Sequence, residues 1–155
     1  MKKLLYSAFM LFAIAASFVA CREDMETGLN PAENDHPELK VEGLYSGTWT
    51  RILDKDTVYE AGNLKLTPTD SIYCVDVTVD CATFTLTETS VANIAQEGSH
   101  GFVYYNTSGA ASGLGVSFRG YVKGETATIN FIKTIKSGRK SYEYKFAFSG
   151  EKVVE

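Results

Sequence analysis

Few residues in this 155-residue chain are of types that do chemistry: two histidines, His36 and His100, and three cysteines, Cys21, Cys74 and Cys81. The histidines stand far apart, and neither belongs to a metal-ligand spacing. The sequence therefore predicts no metal and no cofactor. His100 follows Ser99 with Glu97 nearby, but neighbours on a loop do not make an oriented nucleophile and base. Asp76 and Asp80 share one face of a strand at a separation of about 13 Å, four residues of strand rise. That is too wide for a paired-carboxylate site. Gly113-Leu114-Gly115 has no helix behind it, which excludes a phosphate loop. These residues predict a protein without catalytic chemistry.

Cys21 is the exception. Lys2 and Lys3 precede an apolar run from Leu4 to Ala20, and Cys21 is followed at once by Arg22, Glu23 and Asp24. A basic start, a short apolar stretch and small residues before a cleavage point are the parts of an export signal. A transmembrane helix is the rival reading. The run, interrupted by Ser7 and Ser17, lies at the lower edge of what spans a bilayer, and two lysines precede it while no acidic residue occurs before Glu23. Phe18-Val19-Ala20-Cys21 resembles a lipobox in its last two positions and departs from it at Phe18, where an aliphatic residue is typical. The resemblance implies cleavage before Cys21, diacylglycerol on its thiol and a third acyl chain on its new amine. Residues 1–20 are thus expected to be a signal peptide, and Cys21 a lipidation site that holds the exported protein on the outer membrane.

Residues 21–41 read as a lipidated cysteine and a flexible acidic tether. Beyond Cys21 the stretch carries six carboxylates, Glu23, Asp24, Glu26, Glu33, Asp35 and Glu38, with two prolines and little apolar content. Such a coil separates anchor and body by about 25 Å. The acidic patch resembles the surface-export signal of lipoproteins from Bacteroidetes, which implies display on the outer face; an ordinary solvated linker is the alternative. All 19 acidic residues lie beyond residue 20, whereas two of the 15 basic ones do not. That balance argues against nucleic acid as a partner.

Residues 42–155 form one domain by size, and their apolar period is two rather than 3.6. Strands are expected over 44–53, 57–60, 64–67, 72–80, 83–88, 102–106, 114–123, 126–135 and 141–149. Breaks fall at Asp54-Lys55-Asp56, Gly62-Asn63 and Pro68. Ser90–Ser99 is weakly periodic and reads as a loop or short helical turn, and Thr107–Gly113 as a mobile loop. Leu114, Val116, Phe118, Gly120 and Val122 share one face, and Tyr142, Tyr144, Phe146 and Phe148 form an aromatic stripe. Short connections between these segments give an antiparallel meander. The expected fold is all-β, an up-and-down barrel of eight strands, with a two-sheet sandwich as the rival. Cys74 and Cys81, on one strand, would hold their sulfurs more than ~20 Å apart and do not pair.

Tyr45-Ser46-Gly47-Thr48-Trp49 resembles the Gly-x-Trp signature of lipocalins and the wider calycin group. That resemblance implies a tryptophan closing one end of an eight-stranded cup, with a basic residue from the last strands over it; Arg139 and Lys145 are the candidates here. Over residues 41–155 the chain is similar to the short lipocalin-like or calycin-like lipoproteins of Bacteroidetes, which implies a fold more than a function. Tyr45, Trp49, Phe118, Tyr142 and Tyr144 are the candidate ligand contacts, lining a cup for a small apolar or amphipathic molecule. Gly115, Ser117, Gly120 and Ala127 would keep such a cup open. Bulky inward residues also fill small barrels completely. In that case the protein is expected to act through its loops and outer face, on a glycan or another envelope protein.

Overall fold

The computed structural model describes residues 36–99, 101–106, 113–115 and 117–154. The expected leader, the expected lipidation site Cys21, the expected tether as far as Asp35, His100, residues 107–112, Val116 and Glu155 lie outside the described residues.

The compact unit runs from His36 to Glu155. A short helix, α1 (Pro37–Val41), leads into eight strands: β1 (Gly43–Leu53), β2 (Asp56–Pro68), β3 (Cys74–Cys81), β4 (Leu86–Glu97), β5 (Gly101–Asn106), β6 (Phe118–Lys123), β7 (Thr126–Ser137) and β8 (Lys140–Lys152). Each strand pairs antiparallel with the next, and β8 returns to β1 in the register Trp49↔Phe148, so the sheet closes into a barrel. One closed ring replaces the two-sheet sandwich. Closure also removes the unpaired edges that an open sheet of this composition would leave.

The period-two pattern places side chains as expected. Val75, Val77 and Val79 of β3 and Phe146 and Phe148 of β8 are buried, while their sequence neighbours face outward or are only partly covered. Cys74 and Cys81 are free thiols.

Four segments depart from the expectation. The strand expected over 114–123 begins only at Phe118, with a turn at Gly113-Leu114 ahead of it. The break at Gly62-Asn63 does not exist, and β2 runs unbroken through it. A Cβ at Gly62 would come within 2.6 Å of the Trp49 indole. This glycine makes room for a ring rather than ending a strand. The strand expected over 83–88 begins instead as a 3-10 turn, Ala82–Phe84, followed by Thr85 with a left-handed backbone, φ 53°. Ser90–Ser99 is mostly strand, since β4 continues to Glu97. Its inward residues include Ser90 and Ala92, too small or polar to announce a buried face, and the ladder to β3 supplies the missing signal.

The domain also starts earlier than residue 42. Val41 is fully buried in the core, and Glu38 is only 4% exposed. Residues 37–41 of the expected tether are therefore part of the folded unit. Among the described residues no helix is long and apolar enough to cross a membrane.

Candidate functional site

The barrel interior is filled. Trp49 packs against Phe148 and Phe131 at ring-centroid distances of 4.9 and 6.0 Å, and Phe131 stacks on Phe146 at 5.2 Å. Among the expected ligand contacts, Tyr45 and Trp49 are 0% exposed and Phe118 is 2% exposed. Their rings form the core and present no free face to a ligand. The small residues do not open a cup either. Gly120 accommodates the Tyr104 ring, which a Cβ there would overlap, and Tyr104 donates its hydroxyl to the Thr128 carbonyl at 2.7 Å. Ala127 is buried, Gly115 is half-buried and Ser117 is exposed. No cation covers Trp49 among the described residues. Arg139 lies in the β7–β8 turn, and Lys145 is exposed on the outer wall between Ile52 and Ile132.

The two ends of the barrel differ in chemistry. At one end α1 lies over the core, and the Tyr45 hydroxyl donates to the Val41 carbonyl at 2.8 Å. Glu38 accepts the Tyr73 backbone N–H at 3.2 Å and meets His36 Nδ1 at 2.7 Å. Burial alone would raise the pKa of Glu38. Hydrogen bonds from its own backbone, His36 and Tyr73 outweigh that and hold it below its ordinary value. Burial, with the Glu125 charge nearby, pushes the Tyr45 hydroxyl up to about 12. Complete burial, reinforced by Tyr45, raises Tyr104 well above the usual phenol range.

At the opposite end the inward-facing positions become charged and amphipathic. Arg51, two residues beyond Trp49 on β1, lies over the Phe84 ring at 4.7 Å and the Tyr144 ring at 5.5 Å. Tyr144 adjoins Tyr142 at 6.5 Å. Lys133 Nζ meets Glu88 Oε1 at 2.7 Å. These two residues sit on β7 and β4, which are not neighbours in the ring, so their bond crosses the mouth of the barrel. It remains partly wet, with side-chain exposures of 25% and 34%. Leu114 is buried in the core beneath this end, and Gly113 lies against the Glu88 side chain. Of the expected ligand contacts, the structure brings only Tyr142 and Tyr144 into this group.

Arg51, Phe84, Glu88 and Lys133 were not among the sequence candidates. Parity carried part of the signal: Arg51 shares the face of Trp49, and Lys133 the face of Ile129 and Phe131. Phe84 enters from the 3-10 turn, which no strand period encodes. Chemically, the arrangement offers a guanidinium fork, an ion pair and two tyrosines, all half-buried. The described residues contain no group of three or more His, Cys, Asp or Glu side chains able to hold a metal ion.

No family model, curated protein or solved structure matches this chain. Function must be argued from the site.

Proposed function

We propose that this chain is an exported, non-catalytic binding protein, anchored in the outer membrane by lipid on Cys21. In this reading its packed barrel is a rigid scaffold, and the ligand is held at the Arg51 end. The carrying observation is the change of inward-facing chemistry along the barrel axis, from a filled aromatic core to a partly exposed set of Arg51, Glu88, Lys133, Tyr142 and Tyr144. Binding sites combine apolar lining with a few oriented polar groups, and this is the end that offers both. The ligand is a small amphipathic molecule that lies across the rim. The barrel and the Gly47-Thr48-Trp49 stretch support kinship with lipocalin-like envelope lipoproteins of Bacteroidetes.

Native mass spectrometry of the chain, purified gently from its own host, tests the reading. A co-purifying small mass that disappears in Tyr144→Ala supports it, whereas a clean apo mass in the unaltered chain counts against it. The anchor has a separate test: Cys21→Ala should leave the membrane fraction and lose fatty-acid labelling.

A second reading is an interaction module that contacts a glycan through the outer wall. It rests on Tyr105 and Tyr121, which are exposed on adjoining strands, with Arg119 over the Tyr121 ring at 5.2 Å. Loss of glycan retention in Tyr121→Ala, with the rim intact, would favour it.

A further inference from the structure

We propose that the Arg51 end recognises an oxyanion, a carboxylate or phosphate group, carried on a flat apolar body. This rests on the rim being the binding end. Arg51 leaves the β1 face that carries Trp49 and is bracketed by Phe84 and Tyr144. Both rings lie within cation–π range of the guanidinium, at 4.7 and 5.5 Å. No carboxylate among the described residues pairs with it. Glu60 stands diagonally from it in the β1–β2 register yet makes no ion pair. Glu88, the acid nearest in function, is engaged by Lys133 at 2.7 Å.

Lys133 and Glu88 neutralise each other, while Arg51, half-buried, makes no ion pair among the described residues. Guanidinium geometry matches carboxylate and phosphate oxygens in a two-pronged bond, which a lysine cannot reproduce. Tyr144 and Tyr142 extend the apolar surface outward from the cation, which favours a ligand whose anionic group is attached to a ring or other flat body. The Lys133–Glu88 bar limits the depth the ligand can reach, so the anion binds at the surface of the core and not within it.

The test is titration of the full chain with benzyl alcohol, benzoate and phenyl phosphate, followed by backbone amide shifts and calorimetry. Expected is perturbation of the amides of Arg51, Phe84 and Tyr144, with an oxyanion bound about tenfold more tightly than the alcohol. Arg51→Gln should erase that gap, and Arg51→Lys, which keeps the charge without the fork, should retain only part of it. A gap shown by benzoate alone or by phenyl phosphate alone supports the proposal and tells carboxylate from phosphate. Equal binding of benzyl alcohol at these amides overturns the oxyanion inference and leaves the rim reading standing. Absence of any perturbation there overturns both. Should Arg51→Gln fail to fold, a gap undiminished in Arg51→Lys overturns the two-pronged recognition.

Discussion

The two ends of this barrel are built from the same alternating strands and reach opposite results. At the α1 end three buried polar groups are engaged: Tyr45 on Val41, Tyr104 on Thr128, and Glu38 on Tyr73 and His36. At the other end a salt bridge remains partly wet, and Arg51 is held by rings rather than by an acid. A sealed end converts its polar groups into stability, because each is withdrawn from water and satisfied. An end that keeps donors in reach of water gives up that contribution and retains the capacity to bind.

That contrast can be broken most forcefully at the centre. Trp49→Ala should cost about 3–5 kcal/mol in denaturant unfolding, because its indole fills the space between Phe131, Phe148 and the backbone of Gly62. Trp49 Nε1 is buried with no hydrogen-bond partner among the described residues. Trp49→Phe, which removes that unpaired donor, should therefore cost less than half as much. Equal losses would show that the donor does have a partner.

The next effect is alkaline. Tyr45 and Tyr104 have folded-state pKa values raised above the unfolded value of 10.0. Their contribution is fully present below pH 10 and is lost as pH rises through the folded values, at about 1.4 kcal/mol per pH unit for each tyrosine. Thermal melts between pH 9 and 12 should show this loss, and Tyr104→Phe should flatten it. A flat wild-type profile would mean that the α1 end is not sealed.

Glu38 gives a smaller effect of the opposite sign. Its folded pKa is depressed, so its contribution is present above the ordinary value of 4.5 and lost as pH falls through the lower folded value. Glu38→Gln should reduce stability at pH 7 by about 1 kcal/mol, and the gap from wild type should close as pH falls below 4.5 through the lower folded value. A gap that persists to the lowest pH at which the protein stays folded would place its origin in packing instead of charge.

The smallest effect belongs to the rim. Lys133→Met should change stability by no more than about 1 kcal/mol, as expected for a partly exposed pair, while loosening the bar across the mouth. A loss comparable to that of Trp49→Ala would erase the distinction between the two ends.

Much of this was legible in the chain. The alternation read over 72–80, 141–149 and the second half of 114–123 gave the centres of β3, β8 and β6 and their buried face directly, because side chains of a strand point to opposite sides in turn. Gly62 misled because a glycine in a strand signals either a break or a close approach, and only the position of Trp49 decides between them. Ser90–Ser99 misled because two of its three buried residues, Ser90 and Ala92, are small, and Ile94 alone is bulky. The site was half legible: Tyr142 and Tyr144 stood out as a stripe, whereas Arg51 and Lys133 looked like ordinary surface cations.

The sequence by itself determined that the chain is all-β, which residues of its cleanly alternating strands face inward, and that its cysteines 74 and 81 do not pair. The tertiary structure decided whether the interior is open and where along the axis each inward residue falls. Parity fixes the face of a side chain but not its depth. Depth follows from the register between strands, Trp49 with Phe148 where the ring closes and Lys133 with Tyr144 across the β7–β8 turn, and filling follows from the summed volumes of all eight strands. For that reason Trp49 and Arg51, two residues apart on one face, are respectively the centre of the core and the edge of the proposed site.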